Sequence, residues 1–133
     1  MRIFLDANVL FSAAKSAGAV RKLLAMLLEQ GHELCADGYV VEEARRNLAL
    51  KSPGSMPELE SLLSRVELAP IALGTGSTLP LPEKDRPVLE AAIRSRSDIL
   101  VTGDRTHFGR FFGSKIEGVE ILAPATLAER ILR

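Results

Sequence analysis

The chain has 133 residues, the size of one typical domain, and we predict a single domain over residues 1–133. Hydrophobic residues make up 47% of it and charged residues 26%, a balance that supports a packed core and excludes a disordered chain. Lys and Arg together number 17, as do Asp and Glu, so the formal net charge is zero. A nucleic-acid partner would therefore have to be held by a local basic patch, because there is no overall positive field.

The cysteine content and the N-terminal residues indicate the cellular compartment of the protein. The single cysteine, Cys35, excludes an internal disulfide and a cysteine-based zinc cluster, and it is best interpreted as a buried thiol in a reducing compartment. The short apolar run at the N-terminus is interrupted by Asp6 and Asn8, which makes a poor signal peptide. No apolar run is long enough to span a membrane. We therefore predict a cytoplasmic protein with no membrane partner.

Short apolar runs alternate with amphipathic stretches from the start of the chain. "RIFL" (2–5) predicts a buried strand. The stretch 16–31 predicts a helix that Ser16 caps and Gly31 terminates, with an apolar stripe along one side. "ELCA" (33–36) predicts the second strand.

The middle of the chain continues the alternation. Asp37 is placed to cap a helix from about residue 38 to residue 50, and the segment 55–58 has the capping-box pattern that opens another helix. A third strand is predicted over about residues 67–73. A turn-rich loop then covers 74–82.

The remaining segments complete an α/β pattern. A helix over about 86–96 accommodates Pro87 in its first turn. "DILVT" (98–102) and "VEIL" (119–122) predict the fourth and fifth strands, and "PATLAERIL" (124–132) predicts the last helix. Alternating strands and helices indicate a parallel sheet covered by helices on both faces, which is a three-layer α/β/α fold.

Two of the strand-like segments lead directly into a carboxylate. Asp6 follows the first strand, and Asp104 follows the fourth in the sequence "LVTGD". In a parallel sheet both would lie at the same edge, at the carboxyl ends of the strands, where ligands bind in folds of this class. Each aspartate can equally be a helix cap or a turn residue, so neither alone establishes a site.

Two further acids are candidates for the same edge. Asp85 projects onto the apolar stripe of the helix that follows it, although it can also be that helix's N-cap. Glu43 lies at the margin of an apolar stripe, whereas Glu42 points further towards solvent, and most helical glutamates are simply solvated. Carboxylates that share a cleft repel one another, and Mg²⁺ or Mn²⁺ would remove the repulsion. A metal held by carboxylates suits phosphoryl chemistry.

Four sequence blocks, in this order and spacing, resemble the PIN-domain ribonucleases: "FLDANVLFSA", "DGYVVEEARRNL", "EKDRPVLEAAI" and "LVTGDRTHF". They look most like the small VapC-type toxins of bacterial and archaeal toxin–antitoxin pairs, and the resemblance covers nearly the whole chain. It implies a five-stranded parallel sheet of order 3-2-1-4-5, with strands 1 and 4 side by side. It also implies Mg²⁺- or Mn²⁺-dependent cleavage of single-stranded RNA, a small antitoxin protein as partner, and a homodimer.

The resemblance also assigns residues. The acidic quartet, expected to be catalytic and to bind the metal, corresponds to Asp6, Glu43, Asp85 and Asp104, and the supporting polar positions to Asn8 and Thr102. Two positions depart from the family pattern, because Ala7 and Asp37 stand where Ser or Thr is common. Arg86, Arg105 and His107 lie near the acidic blocks in sequence and are candidates for contact with RNA, although a plain surface position is the simpler interpretation of His107.

Two alternative functions stay open. A metal-dependent phosphatase or phosphoacceptor domain would use Asp6 itself to attack phosphorus, but Asn8 replaces the second acid of the Asp-x-Asp motif typical of many aspartyl phosphatases. A catalytically inactive PIN-like binding module would use the acids only to contact a partner. With five Phe, one Tyr and no Trp, the composition gives little support to an RNA-binding platform built from several aromatic rings.

Overall fold

A computed structural model of the protein describes residues 1–70 and 86–132. Its six strands are β1 (Arg2–Leu5), β2 (Glu33–Asp37), β3 (Glu67–Ala69), β4 (Ile99–Val101), β5 (Lys115–Ile116) and β6 (Val119–Leu122). They form one sheet in the order β3-β2-β1-β4-β6-β5. Every neighbouring pair is parallel except β5, which runs antiparallel to β6 at the edge.

Among the described residues, seven α-helices cover the sheet in a three-layer α/β/α arrangement. They are α1 (Ala7–Lys15), α2 (Ala19–Glu29), α3 (Gly38–Lys51), α4 (Met56–Leu63), α5 (Arg86–Arg94), α6 (Arg105–Phe108) and α7 (Pro124–Ile131). None of these described helices has the length and apolar character that crossing a bilayer requires. The central strands are buried on both faces, since Ile3, Phe4 and Leu5 of β1 are each fully enclosed.

Each of the five predicted strands is found, and they lie in the predicted order, with β6 as the predicted fifth strand. The predicted number of strands was wrong by one, because the short edge strand β5 was missed. This strand has only two residues and is joined to β6 by a two-residue turn at Glu117 and Gly118, whose φ angles are 46° and 87°. Two positive φ values are typical of a type I′ hairpin turn, which Asn-Gly or Asp-Gly would have signalled more clearly than Glu-Gly does. The predicted residues 71–73 of the third strand lie outside the described residues.

The predicted start of α2 was wrong, and its predicted end is confirmed. The predicted cap at Ser16 was wrong, because Ser16 ends α1 and Gly18 precedes the first residue of α2 without any side-chain cap. Termination by Gly31 is confirmed, with φ +84° and the His32 N–H donating to the Leu27 carbonyl at 3.0 Å. This is the hydrogen bond of a Schellman motif, in which a left-handed glycine satisfies the last carbonyls of a helix.

Helix caps also decide how α3 and α4 begin. Asp37 caps α3 as predicted, because its Oδ1 accepts the Val40 N–H at 3.1 Å. Burial raises the pKa of the Asp37 carboxyl, and hydrogen bonds from the N–H groups of Val40 and Tyr39 oppose that shift. The predicted capping box at α4 was wrong, since the Ser55 hydroxyl bonds the Ser52 hydroxyl at 2.8 Å and caps no helix N–H.

The Asp37 cap should contribute measurably to stability. We expect Asp37→Ala to lower the free energy of unfolding by about 1 kcal/mol, the usual cost of losing an N-cap. Asp37→Asn keeps an acceptor and removes a buried charge, so it should be at least as stable as the natural chain. Ser55→Ala is the matched control and should change little, because that side chain caps nothing. Urea denaturation of the three variants measures this, and equal losses for Asn and Ala at position 37 would contradict the assignment.

Candidate active site

An acidic cleft lies where β1 and β4 end. The parallel register places Leu5 beside Val101, so the residues that follow them, Asp6 and Thr102, are neighbours at the carboxyl edge of the sheet. The Asp6 N–H continues the pairing by donating to the Val101 carbonyl at 3.1 Å. The cleft has a volume of about 160 Å³, and its polar lining is formed by Asp6, Asn8, Tyr39, Glu43, Asp104 and His107.

Asp6 is a buried carboxylate held by three donors. It is 5% exposed. Its Oδ1 accepts the Ala7 N–H at 2.7 Å, and its Oδ2 accepts the Thr102 hydroxyl at 2.7 Å and the Asn8 side-chain amide at 3.2 Å. Burial raises the pKa of Asp6, the hydrogen bonds oppose the shift, and the negative charge of Glu43 adds to it. The fold therefore holds this carboxylate in place while disfavouring its charge.

Thr102 and Asn8 connect the two strand ends. The Thr102 hydroxyl, fully buried, donates to Asp6 and accepts the Asp104 N–H at 3.1 Å. The Asn8 carbonyl oxygen accepts the Gly103 N–H at 2.7 Å. A Cβ at Gly103 would lie 3.3 Å from that same oxygen, which explains why the smallest residue suits this position. Both polar residues lie between the two aspartates, and their supporting role stays a prediction.

Asp104 has the opposite electrostatic situation to Asp6. It caps α6, since its Oδ1 accepts the His107 N–H at 3.1 Å, and its Oδ2 lies 2.7 Å from the His107 ring nitrogen Nδ1. Partial burial opposes ionisation, but the contacts with His107 outweigh it and lower the pKa of Asp104. Each aspartate is thus a helix cap and also lines the cleft, so the two interpretations of these residues are not exclusive. His107 lines the cleft beside Asp104, where a plain surface position was the simpler expectation.

The two glutamates of α3 differ in position. Glu43 is half-buried and lines the cleft, whereas Glu42 is exposed. The reason is the helical period, because Val40, Ala44 and Leu48 form the buried face of α3 and Glu43 lies at its margin. The geometry therefore brings Glu43 together with Asp6 and Asp104, and its chemical role stays a prediction.

The other predicted site residues are less well placed. Asp85 lies outside the described residues. Arg86 begins α5 and is half-buried. Arg105 is exposed and lines a neighbouring apolar groove next to Gly103, not the acidic cleft. Tyr39 also lines the cleft and was not predicted, although its position one helical turn before Glu43 could have indicated it.

The donors of the cleft suit a hard divalent cation. Carboxylate oxygens are the ligands that Mg²⁺ and Mn²⁺ prefer, and the effect of Glu43 on Asp6 shows that negative charge accumulates here. Within residues 1–70 and 86–132, no three Asp, Glu, His or Cys side chains are grouped closely enough to form a finished metal site. The described acids therefore form an open set of oxygen donors and not a complete metal site.

Comparison with known proteins bears on the fold and the family of the chain. The family model of the PIN domain matches residues 2–106. No curated protein matches the chain. Among solved structures, the fold is similar to that of a chain in the crystal structure of VapBC2 from Rickettsia felis bound to a DNA fragment from their promoter, with a TM-score of 0.65 and 17% sequence identity over 92% of this chain and 98% of that one. Since the family model covers most of the sequence, the chain belongs to the PIN-domain family.

Proposed function

We propose that the protein is a divalent-metal-dependent endoribonuclease that cleaves single-stranded RNA. The observation that carries the proposal is the acidic cleft, where Asp6, Glu43 and Asp104 line one depression at the carboxyl edge of the sheet. PIN domains are generally nucleases, and carboxylates in this arrangement suit phosphodiester chemistry. Asp85 completes the proposed set of acids.

The chain's own residues would prepare the cleft for that reaction. A bound Mg²⁺ or Mn²⁺ would supply an activated water and neutralise charge on the phosphate. Thr102 and Asn8 donate hydrogen bonds to the Asp6 carboxylate and so hold it in a fixed, preorganised position. The contact with His107 restrains Asp104 and favours its ionised form, which suits a cation ligand.

The phosphoacceptor alternative fits the geometry less well. A nucleophilic Asp6 would have to bring a whole phosphoryl group into contact with one of its oxygens, whereas a metal ligand has to reach only a small ion. Both of its oxygens accept hydrogen bonds, and the residue is 5% exposed. A role for Asp6 as a buried metal ligand is therefore favoured over direct attack on phosphorus. Trapping an acyl-phosphate on Asp6 would reverse this preference.

We further propose that the enzyme is the cytoplasmic toxin of a toxin–antitoxin pair, acting as a homodimer and inhibited by a small antitoxin protein. The resemblance to VapC-type toxins supports this, as does the similarity of fold to a chain of the VapBC2 complex. A small open reading frame next to the gene, whose product co-purifies with this chain, is the expected finding.

Cleavage assays with acid variants test the enzymatic proposal. A panel of single-stranded RNAs should be cut in the presence of Mn²⁺ or Mg²⁺ and left intact in EDTA. Glu43→Gln should abolish the cleavage, whereas the matched control Glu42→Gln should retain most of it, because only Glu43 lines the cleft. Equal loss in both variants would refute the assignment of Glu43. Metal-bound protein that cuts no RNA would instead favour an inactive binding module.

Thermal melts with and without Mn²⁺ test the electrostatics of the cleft. Burial raises the pKa of Asp6, so its contribution to stability is lost as the pH rises through the folded-state pKa, and above that pH the charged carboxylate opposes folding. Asp104 has a lowered pKa, so its contribution is present above its unfolded pKa and lost as the pH falls through the folded one. Metal-free Asp6→Asn should therefore melt at or above the natural chain, and metal-free Asp104→Asn below it.

The stabilisation of the fold by metal should depend on the same two aspartates, Asp6 and Asp104. Mn²⁺ at a hundredfold excess over its Kd should stabilise the natural chain by about 2.7 kcal/mol, because it binds the folded state only. Both Asn variants should lose this stabilisation. If either variant keeps the full Mn²⁺ shift, the altered aspartate is a cap and not a ligand.

A further inference from the structure

Tyr39 is an aromatic side chain exposed at the acidic cleft. It is the second residue of α3 and is 39% exposed, whereas the next residues, Val40 and Val41, are buried. The Asp37 cap fixes the first turn of the helix on which Tyr39 lies. A well-ordered turn thus holds an exposed ring at the rim of the cleft.

The ring lies beside the proposed catalytic acids. Tyr39 precedes Glu43 by four residues, which places the two side chains on one face of α3 about one turn apart. Both line the cleft with Asp6. Phe108 is the other described aromatic residue of the lining, but it is 1% exposed, so its ring is enclosed in the core.

An uncharged contact would add affinity for substrate that the charge of the cleft does not supply. Without a bound cation, Asp6, Glu43 and Asp104 repel an anionic phosphate backbone, and a formal net charge of zero gives the chain no overall attraction for it. Arg105 lines the neighbouring groove instead of this cleft. Stacking of a base on an aromatic ring needs no positive charge and tolerates any base, so it can supply affinity where charge does not.

We infer that Tyr39 is a substrate-binding residue whose ring stacks on an unpaired base next to the scissile phosphodiester. The inference rests on the proposed nuclease function and adds to it the residue that recognises the nucleotide. A base paired inside a duplex cannot stack on the ring, so Tyr39 also contributes to selection of single-stranded substrate.

Steady-state kinetics test the inference in the Mn²⁺-loaded protein. Tyr39→Leu should raise KM for single-stranded RNA about tenfold and leave kcat nearly unchanged, because it removes the stacking ring and no catalytic group. Tyr39→Phe keeps a ring and should retain a near-natural KM. Leu50→Ala is the matched control, since Leu50 is on the same helix, is 83% exposed and does not line the cleft.

Binding can be observed without cleavage, because Tyr39 is the only tyrosine of the chain. In EDTA, protein labelled with ¹³C-tyrosine gives ring signals from this residue alone. A single-stranded oligoribonucleotide should shift those signals upfield, as a base stacked over the ring does. An abasic strand of equal length presents the same phosphates and should not.

The outcomes separate the two proposals. Metal-dependent cleavage with an unchanged KM in Tyr39→Leu would overturn the role of Tyr39 and leave the nuclease intact. Equal ring shifts with abasic and base-containing strands would show a phosphate contact and also overturn the inference. If the natural protein cuts no RNA, the nuclease proposal fails, and the ring shifts alone then decide whether Tyr39 stacks on bases.

Discussion

The hydrogen bond from the Thr102 hydroxyl to the Asp6 carboxylate is the interaction on which the rest of the site depends. It joins the ends of β1 and β4 at a distance of 2.7 Å inside a buried environment. Removing such a donor leaves a buried carboxylate short of a partner, which is costly in the low dielectric of a protein interior. The same hydroxyl accepts the Asp104 N–H, so one side chain sets the relative positions of both aspartates.

The two aspartates give the cleft complementary properties. Asp6 is enclosed, held by donors and disfavoured as an anion, while Asp104 is more accessible and favoured as an anion by His107. Glu43 adds negative charge near Asp6 and raises the pKa of that carboxyl further. Helix capping alone would not require Asp6 and Asp104 to lie in the same cleft. The proposed cation would offset the negative charge that collects there.

Much of this could be predicted from the sequence because it depends on local patterns. Strand ends that lead into Asp6 and Asp104 identify the functional edge once a parallel sheet is inferred, and they require no knowledge of side-chain packing. The edge hairpin at Glu117 and Gly118 was missed because its turn lacks the usual residues. The contact of His107 with Asp104 is local, since the two residues are three apart at the cap of α6, and their spacing could have indicated it. The exposure of Tyr39 depends on how other elements pack against α3, which periodicity does not determine.

The central claim is that the cleft holds a divalent cation between Asp6 and Asp104. Diffraction data collected at the manganese absorption edge from crystals soaked in Mn²⁺ test it most directly. We expect an anomalous peak in the cleft within about 2.0–2.6 Å of carboxylate oxygens from both aspartates, the range for hard cations. A fully soaked crystal with manganese bound only elsewhere on the protein, or with no peak at all, would contradict the account.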